Sequence, residues 1–476
     1  MTQRYVVQCA LNAPAPVRFA ASELARYMQA AFAVDIATGT SRQTPKLQIR
    51  LVSEQEQGSP PRPLSLTGRL RPIKPALAPL PGVDAFLWRV SDGELSIAGT
   101  NGRSALYGVY DALEDLAGCR FCGPHSEDEV IPSKPAAELA TVLDRPLERF
   151  EQAAMAYRGR STGMFLEMEE VSQVVREVDW MAKRRLNLLL IDMLSAQDGY
   201  AWQKLAQRST TNMTGEVWAA LKAQVFPELK RRGLLLCPGL HGFHPLLLPV
   251  DLYAEKHPEW YALREGRRVG GFRKIATDMS GGPAPDGCYQ FCTTNPDARA
   301  AFLDNMVRFL DENPEIDLIQ PCPEDGLDNW CECPQCSKQS VGDRQMDLDN
   351  AIAERVRQVR PQMRVWHLVY GSHLAPPEHV LPAEGIDICF SAWGRDYAYS
   401  VTDERTYECQ FHPLSPRELL ERWAKLCDEV GAGLLIHSKF MRFEHLNYRL
   451  LPLPHVQTDM RFYQRIGVDG MDYHVG

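Results

Sequence analysis

The chain has 476 residues and a formal net charge of −9, and its length predicts two or more domains. That negative balance argues against nucleic acid as a partner, because a nucleic-acid binder normally carries a basic patch or stripe. No apolar run is long enough for a signal peptide or a membrane span, so we expect a cytoplasmic protein with no membrane partner.

The first part of the chain, residues 1–145, has the pattern of an α+β domain. Strand patterns at residues 5–9 and 47–52 flank a helical pattern at residues 17–31, and residues 102–116 predict a second amphipathic helix. The pair Asp92-Gly93 between two apolar runs predicts a hairpin. Residues 58–81 are rich in proline and basic side chains, and we interpret them as a surface excursion. No residue here carries obvious chemistry, so this accessory domain is expected to be structural.

From residue 150 onwards the pattern changes to strands alternating with helices. The expected strands are residues 154–157, 187–193, 234–238, 316–319, 365–370, 386–390, 433–437 and 470–473. Eight such units favour a (β/α)8 TIM barrel over a doubly wound sheet. No Gly-x-Gly-x-x-Gly follows a strand, so no organic cofactor is expected. The predicted fold class is therefore α/β: an N-terminal α+β domain followed by a barrel over residues 150–476, which ends at the eighth strand.

Barrel enzymes place their chemistry at the C-terminal ends of the strands, and the side chains expected there are polar and aromatic. They are Arg158, Asp192, His241, His244, Glu324, Asp325, Trp366, Tyr370, Trp393, Arg395, Asp396, His437, Lys439, Glu444, His445, Asp472 and His474. A pocket lined by these side chains suits a carbohydrate, because aromatic rings pack on sugar faces while charged groups bind hydroxyls. The Arg158 guanidinium would either bind a substrate hydroxyl or carboxylate, or form a salt bridge across the open end of the barrel. The tryptophans and Tyr370 are sugar platforms or core residues.

Glu324 and Asp325 follow the fourth predicted strand within the sequence Pro-Glu-Asp-Gly. Glycoside hydrolysis needs a proton donor and a second group, usually a pair of carboxyl side chains. Adjacent strand residues point to opposite faces, so one of these two is expected to be the acid. We favour Asp325, with Glu324 second. As a plain solvated turn, Glu-Asp-Gly would have no catalytic role.

Cysteines form the second pattern. Cys331, Cys333 and Cys336 have the spacing of zinc ligands, and a tetrahedral site needs a fourth ligand, for which Cys292 and Cys322 are nearest in the sequence. We predict a structural zinc held by the three clustered thiols and a fourth ligand, for which we take Cys292 while Cys322 stays open; free thiols or a labile disulfide are the alternative. His241 and His244 are a possible second metal pair, although substrate contact or ordinary hydrogen bonding suits them as well.

Several stretches resemble a domain-of-unknown-function family of barrel proteins that is distantly similar to α-glucuronidases and β-hexosaminidases. The stretches are Gly99-Thr-Asn-Gly-Arg-Ser-Ala-Leu-Tyr-Gly-Val-Tyr-Asp, Tyr157-Arg-Gly, His257-Pro-Glu-Trp-Tyr-Ala-Leu, Cys292-Thr-Thr-Asn-Pro and Pro323-Glu-Asp-Gly with Cys331-x-Cys-x-x-Cys. The resemblance implies a hexosaminidase-like N-terminal domain before the barrel, and a carboxylic acid after the fourth strand that protonates the leaving group. It places Asp325 or Glu324 in that role. The Glu-Asp order reverses the Asp-Glu order of β-hexosaminidases, which puts their acetamido-assisted mechanism in doubt.

We therefore expect a glycoside hydrolase that removes a terminal sugar from an oligo- or polysaccharide. The second carboxylate would come from Asp192, Glu444, Asp396 or Asp472. One alternative is a carbohydrate-binding barrel without catalysis, since fold does not determine function. The other is a metal-dependent hydrolase that uses His241 and His244.

Overall fold

A computed structural model gives the three-dimensional structure. It describes residues 5–39, 46–51, 66, 68–162, 170–193, 215–269, 271–272, 288–324, 329–391, 395, 399–406, 412–438 and 453–474. Two sheets dominate this part of the chain, one of six strands and one of eight. None of the described helices is long and apolar enough to cross a lipid bilayer.

The six-stranded sheet belongs to the N-terminal domain. Its strands are β1 (Tyr5–Gln8), β2 (Ile36–Thr38), β3 (Lys46–Leu51), β4 (Ala85–Ser91), β5 (Glu94–Gly99) and β8 (Leu147–Gln152), and a small ribbon pairs β6 (Arg120–Phe121) with β7 (Glu129–Val130). The helices are α1 (Ala15–Phe32), α2 (Gly102–Ala112) and α3 (Ala136–Leu143). The sheet order is β2-β1-β3-β5-β4-β8. Asp92 and Gly93 both have positive φ, as the predicted two-residue hairpin between β4 and β5 requires.

The eight-stranded sheet is the predicted barrel. Its region contains the strands β9 (Tyr157–Ser161), β10 (Leu188–Asp192), β11 (Leu235–Gly239), β12 (Ala262–Arg264), β13 (Arg267–Val269), β14 (Gly271–Phe272), β15 (Cys288–Tyr289), β16 (Leu318–Ile319), β17 (Arg364–Val369), β18 (Ile386–Ser391), β19 (Leu434–Ser438) and β20 (Gly470–His474). The barrel order is β11-β10-β9-β20-β19-β18-β17-β16, all parallel. The Gln320 amide donates to the Pro238 carbonyl at 3.0 Å and joins the two end strands. The predicted α/β barrel is confirmed.

Helices surround these strands. They are α4 (Val171–Lys183), α5 (Glu216–Gln224), α6 (Phe226–Arg232), α7 (Phe243–Leu247), α8 (Val250–Tyr253), α9 (Pro296–Glu312), α10 (Val341–Val359), α11 (Pro416–Val430) and α12 (Leu453–Arg465). Alternate strand residues point to opposite faces. On β10, for example, Leu189 and Ile191 join the core beneath the helices, whereas Leu188 and Leu190 join the separate cluster inside the barrel.

The boundary between the two sheets lies later than the expected ranges of 1–145 and 150–476 suggest. β8 pairs with β4 in the first sheet, and the barrel begins with β9. The first barrel strand was expected at residues 154–157 but runs from Tyr157 to Ser161. This shift changes the position of Arg158, as described below.

Most described residues of the proline-rich segment are exposed or half-buried, as expected of a surface segment, but one of its side chains enters the barrel. Leu77 is fully buried and joins the hydrophobic cluster inside the barrel, at the end where the strands begin. The Tyr157 hydroxyl donates to the Leu80 carbonyl at 3.2 Å, and the Lys74 ammonium lies 2.9 Å from the Asp469 carboxylate. The surface interpretation therefore missed only the anchoring of this segment by Leu77, Leu80 and Lys74 at the end where the barrel strands begin. It closes the floor of the barrel.

A buried carboxylate joins the two domains. Asp84, at the entry to β4, accepts hydrogen bonds from Arg103 at 2.9 Å, from Arg158 at 2.6 Å and from Asn187 at 3.1 Å. Burial alone would raise the pKa of the Asp84 carboxyl, but the two guanidinium groups hold it well below its usual range. The interface therefore contains an ionised carboxylate whose oxygens accept hydrogen bonds from Arg103 in the N-terminal domain and from Arg158 and Asn187 in the barrel.

Candidate active site and thiol cluster

Glu324 lies in the loop that follows β16 and is buried, with 4% of its surface exposed. Its backbone is held by one side chain: the Glu324 amide donates to Gln290 Oε1 at 3.0 Å, and Gln290 Nε2 donates back to the Glu324 carbonyl at 2.8 Å. Its carboxylate Oε1 accepts from the Gly242 amide at 3.3 Å. The strand end therefore presents a carboxylate whose backbone and side chain are both fixed.

The turn after β11 brings a second predicted residue to the same place. Leu240 and Gly242 have positive φ, and this sharp turn directs His241 towards the fourth strand end. His241 Nδ1 lies 2.8 Å from the Pro323 carbonyl, which can only accept, so Nδ1 carries the proton. The ring meets Tyr370 edge-on at 5.7 Å between centroids. The structure thus brings together His241, Glu324 and Tyr370 from the ends of three strands.

His244 is not part of this group. Its ring packs edge-on against Phe291 and Phe302, with centroids 5.0 and 5.5 Å away, and only 3% of the residue is exposed. Burial lowers the pKa of its imidazole to about 3, so it is neutral at physiological pH. The described residues contain no set of three metal-ligating side chains that includes the two histidines. The structure gives no support to the histidine metal pair.

The seventh and eighth strands contribute an aspartate–histidine pair to the barrel interior. His437 Nδ1 lies 2.7 Å from Asp472 Oδ2, and both residues are almost completely buried. Asp472 points inward, since a Cβ placed on Gly159 of β9 would lie 3.0 Å from the Asp472 Cβ. Asp192 ends β10 and is also fully buried, and its backbone amide donates to the Thr162 hydroxyl oxygen at 3.2 Å. Asp472 is therefore enclosed in the middle of the barrel, and Asp192 is enclosed at the end of its strand.

Three other predicted binding residues are held by protein groups instead. Arg158 stands near the start of β9, at the opposite end of the barrel from the mouth, where its guanidinium binds Asp84 and backbone carbonyls. The error came from placing the first strand three residues early. Trp366 packs edge-on against Tyr157, 5.0 Å away, inside the barrel near its floor, and is a core residue. Arg395 binds Asp459 of α12 at 2.5 Å and anchors its loop.

Other predicted residues cannot be placed in this way. Asp325, Trp393, Asp396, Lys439, Glu444 and His445 lie outside the described residues. His474 ends β20, with its backbone paired to Ser161 of β9. Two residues that the sequence analysis did not select, Gln290 and Asn329, hold Glu324. No sequence signal marks them, because their role depends on two distant loops lying side by side.

The predicted thiol cluster is formed as expected, with Cys292 as its fourth member. The Sγ atoms of Cys292, Cys331, Cys333 and Cys336 all lie within 4.8 Å of one another, and all four residues are buried. Cys292 Sγ is 3.7 Å from Cys333 Sγ and 3.8 Å from Cys336 Sγ. The other candidate, Cys322, lies instead in the barrel interior, 3.5 Å from His241 Nδ1. Four converging sulfurs suit a tetrahedral metal.

Backbone amides and a hydroxyl group lie within hydrogen-bond distance of three of these sulfurs. The Leu263 amide of β12 donates to Cys331 Sγ at 3.3 Å, and the Cys336 amide donates to Cys333 Sγ at 3.5 Å. The Thr294 hydroxyl lies 3.1 Å from Cys336 Sγ. Hydrogen bonds from the Cys292 and Cys331 thiols lower the pKa of Cys336. Hydrogen bonds among the thiols and burial raise the pKa of Cys331 and Cys292, so a bound metal ion would itself have to displace the protons of these two sulfurs.

The cluster joins two excursions above the barrel. Cys292 follows β15 in the long connection after the third barrel strand, and the other three cysteines lie in the connection after the fourth. The Glu332 amide also donates to the Leu263 carbonyl of β12 at 2.8 Å, and Arg344 of α10 donates to the Cys331 carbonyl at 2.9 Å. The thiols thus lie where three backbone segments meet beside Glu324.

The chain was compared with known protein families, curated proteins and solved structures. No curated protein matches it. A Streptomyces plicatus β-hexosaminidase mutant in complex with its product GlcNAc is similar in fold, with a TM-score of 0.55 and 14% identity over 99% of this chain and 80% of that one. A Flavobacterium johnsoniae chitobiase gives 0.54 and 11% over 100% of this chain. A 4-O-methyl-α-glucuronidase gives 0.52 and 12% over 99%.

This chain spans 62% of the chitobiase chain and 54% of the glucuronidase chain, less than two thirds of each. At such identities the likeness shows the fold, a glycoside-hydrolase-like barrel preceded by an α+β domain. A family model provides the closer relationship: the one described as Domain of unknown function (DUF4838) matches residues 164–474. Because that match includes well over half of the sequence, the chain belongs to the DUF4838 family.

Proposed function

We propose that the protein is a glycoside hydrolase that removes a terminal sugar from an oligo- or polysaccharide, with Glu324 as the proton donor. The observation that carries this proposal is the fixed, buried Glu324 carboxylate after the fourth barrel strand, next to His241 and Tyr370. Barrel enzymes act at this end of the strands. The fold relatives include enzymes that act on GlcNAc-containing and glucuronate-containing sugars.

Asp325 is the other candidate for the acid, and Asp192 and Asp472 are described candidates for the second carboxylate. Asp472 Oδ2 lies 2.7 Å from His437 Nδ1 in the barrel interior. The aromatic ring of Tyr370 supplies a face on which a sugar can pack. Glycosidic cleavage requires a pair of carboxyl groups that flank the scissile bond.

The test is a panel of nitrophenyl glycosides, with hexosaminides and glucuronides first. Glu324→Gln is expected to lower kcat at least about 100-fold if Glu324 is the general acid. Its activity should largely return on dinitrophenyl glycosides, whose leaving group needs no proton. Glu378→Gln, at an exposed carboxylate, is the control and should be unchanged. A loss confined to Asp325→Asn would move the role to Asp325, and sugar binding without turnover by the wild type would favour the binding-protein alternative.

The thiol cluster supports a second part of the proposal: one structural Zn²⁺ held by Cys292, Cys331, Cys333 and Cys336. Four sulfurs close a tetrahedral shell and leave no position for substrate, so the ion would hold the two excursions together and take no part in catalysis. Metal analysis should find about one zinc per chain and almost none in Cys336→Ser. Cys122→Ser removes an exposed free thiol and should leave the zinc content unchanged. Full zinc retention by Cys336→Ser would contradict the site.

A further inference from the structure

Gln290 and Asn329 form a link between the thiol cluster and Glu324. The Gln290 side-chain amide makes two hydrogen bonds with the Glu324 backbone, at 3.0 and 2.8 Å. Asn329 closes the triangle, because its Oδ1 accepts from Gln290 Nε2 at 3.2 Å and its Nδ2 donates to the Glu324 carbonyl at 3.3 Å. Gln290 is completely buried and Asn329 is 5% exposed. These bonds therefore form away from solvent.

The same two segments carry the thiols. Gln290 precedes Cys292 by two residues, Asn329 precedes Cys331 by two residues, and the Gln290 amide donates to the Asn329 carbonyl at 3.2 Å. Two residues of extended chain span about 7 Å. The paired segments are thus held at one end by the Gln290–Asn329 contact and at the other by the four sulfurs. If the sulfurs were separated, the two segments would be held together near Glu324 by the contact between Gln290 and Asn329.

We propose that Gln290 is a positioning residue which makes the placement of Glu324 dependent on the closed thiol cluster. Through Asn329 and Gln290, a metal ion in the cluster would fix the backbone of a residue that it never touches. The kinetic part of this inference rests on the proposed glycosidase function; the structural part does not. Residues that orient a catalytic group have large effects on the reaction rate, because a misplacement of about 1 Å can lower the rate about 100-fold.

The experiment compares Gln290→Ala and the nearly isosteric Gln290→Glu with the wild type. Gln290→Glu keeps the acceptor for the Glu324 amide but loses both N–H donors. The matched control is Gln335→Ala, a glutamine in the same thiol loop whose exposed side chain contacts only Lys338 among the described hydrogen bonds. Three quantities are measured: zinc content, hydrogen exchange at the amides of Glu324 and Gly242, and kcat with KM on the best glycoside.

Both Gln290 variants should keep their zinc and show a kcat about 10- to 100-fold lower with KM little changed. Gln290→Ala should exchange the Glu324 amide faster, whereas Gln290→Glu, which keeps the acceptor for that amide, should change its exchange less. Zinc removal from the wild type should produce the same faster exchange at Glu324. Unchanged exchange and unchanged kcat in zinc-loaded Gln290→Ala would overturn the inference, and so would protection at Glu324 that survives zinc removal. If the wild type hydrolyses no glycoside, the proposed function fails, and the exchange data alone decide whether Gln290 positions Glu324.

Discussion

Replacing Asp84 with Asn tests whether one buried carboxylate holds the two domains together. Its oxygens receive Arg103 at 2.9 Å, Arg158 at 2.6 Å and Asn187 at 3.1 Å, and the Asp84 side chain is only 1% exposed. The variant keeps the shape but leaves both guanidinium groups without a counter-charge. Breaking a buried ion pair from one side costs about 3 to 5 kcal/mol. The free energy of unfolding at pH 7 should fall by that amount.

Urea unfolding followed by circular dichroism measures this loss. Asp304→Asn is the control, because Asp304 meets Arg355 at 3.0 Å with both side chains largely exposed, and such a surface pair contributes less than about 1 kcal/mol. The two guanidinium groups depress the pKa of Asp84, so its contribution is fully present above the unfolded pKa of about 3.9 and is lost as pH falls below it. A loss in Asp84→Asn no larger than that of Asp304→Asn at pH 7 would refute the reasoning.

Three further variants test packing and titration. Leu77→Ala should lower the unfolding free energy by about 2 to 5 kcal/mol in urea titrations, because it leaves a cavity in the barrel floor; a loss below 1 kcal/mol would show that the floor closes without it. Gly159→Ala should cost about 1 to 3 kcal/mol in thermal melts, since the new Cβ would lie 3.0 Å from Asp472 and from Leu188, and an unchanged melt would show that the interior yields. His244 has a pKa lowered by burial to about 3, so its protonation in the unfolded chain destabilises the fold as pH falls from about 6.5 towards 3. His244→Leu should weaken this pH dependence, whereas His379→Leu, at an exposed histidine, should leave it unaltered.

The barrel could be predicted because its strands are short apolar runs separated by helical patterns. Runs such as residues 188–192 are buried on both faces of the sheet, and such strands appear in the sequence as continuous apolar runs. The thiol site could be predicted for a different reason. Metal-ligand spacing within one loop is a local property, and only Cys292 had to come from elsewhere.

Residues whose role depends on strand ends were harder to assign. Boundaries predicted from sequence are uncertain by a few residues, and the three-residue shift of β9 moved Arg158 from the mouth to the floor. Trp366 could not be assigned from its sequence neighbours, because its depth in the barrel depends on the shear between strands. Gln290 and Asn329 were missed because a polar residue in a loop has no periodic pattern that reveals a partner in another loop.

The floor of the barrel has a consequence for where this protein can be divided. The family match begins at residue 164, and all eight barrel strands lie after residue 156, yet Leu77 lies inside the cylinder they form. A fragment that starts at the first barrel strand would contain every strand but expose an apolar hollow at its base. The family match therefore leaves out a side chain that packs inside the barrel.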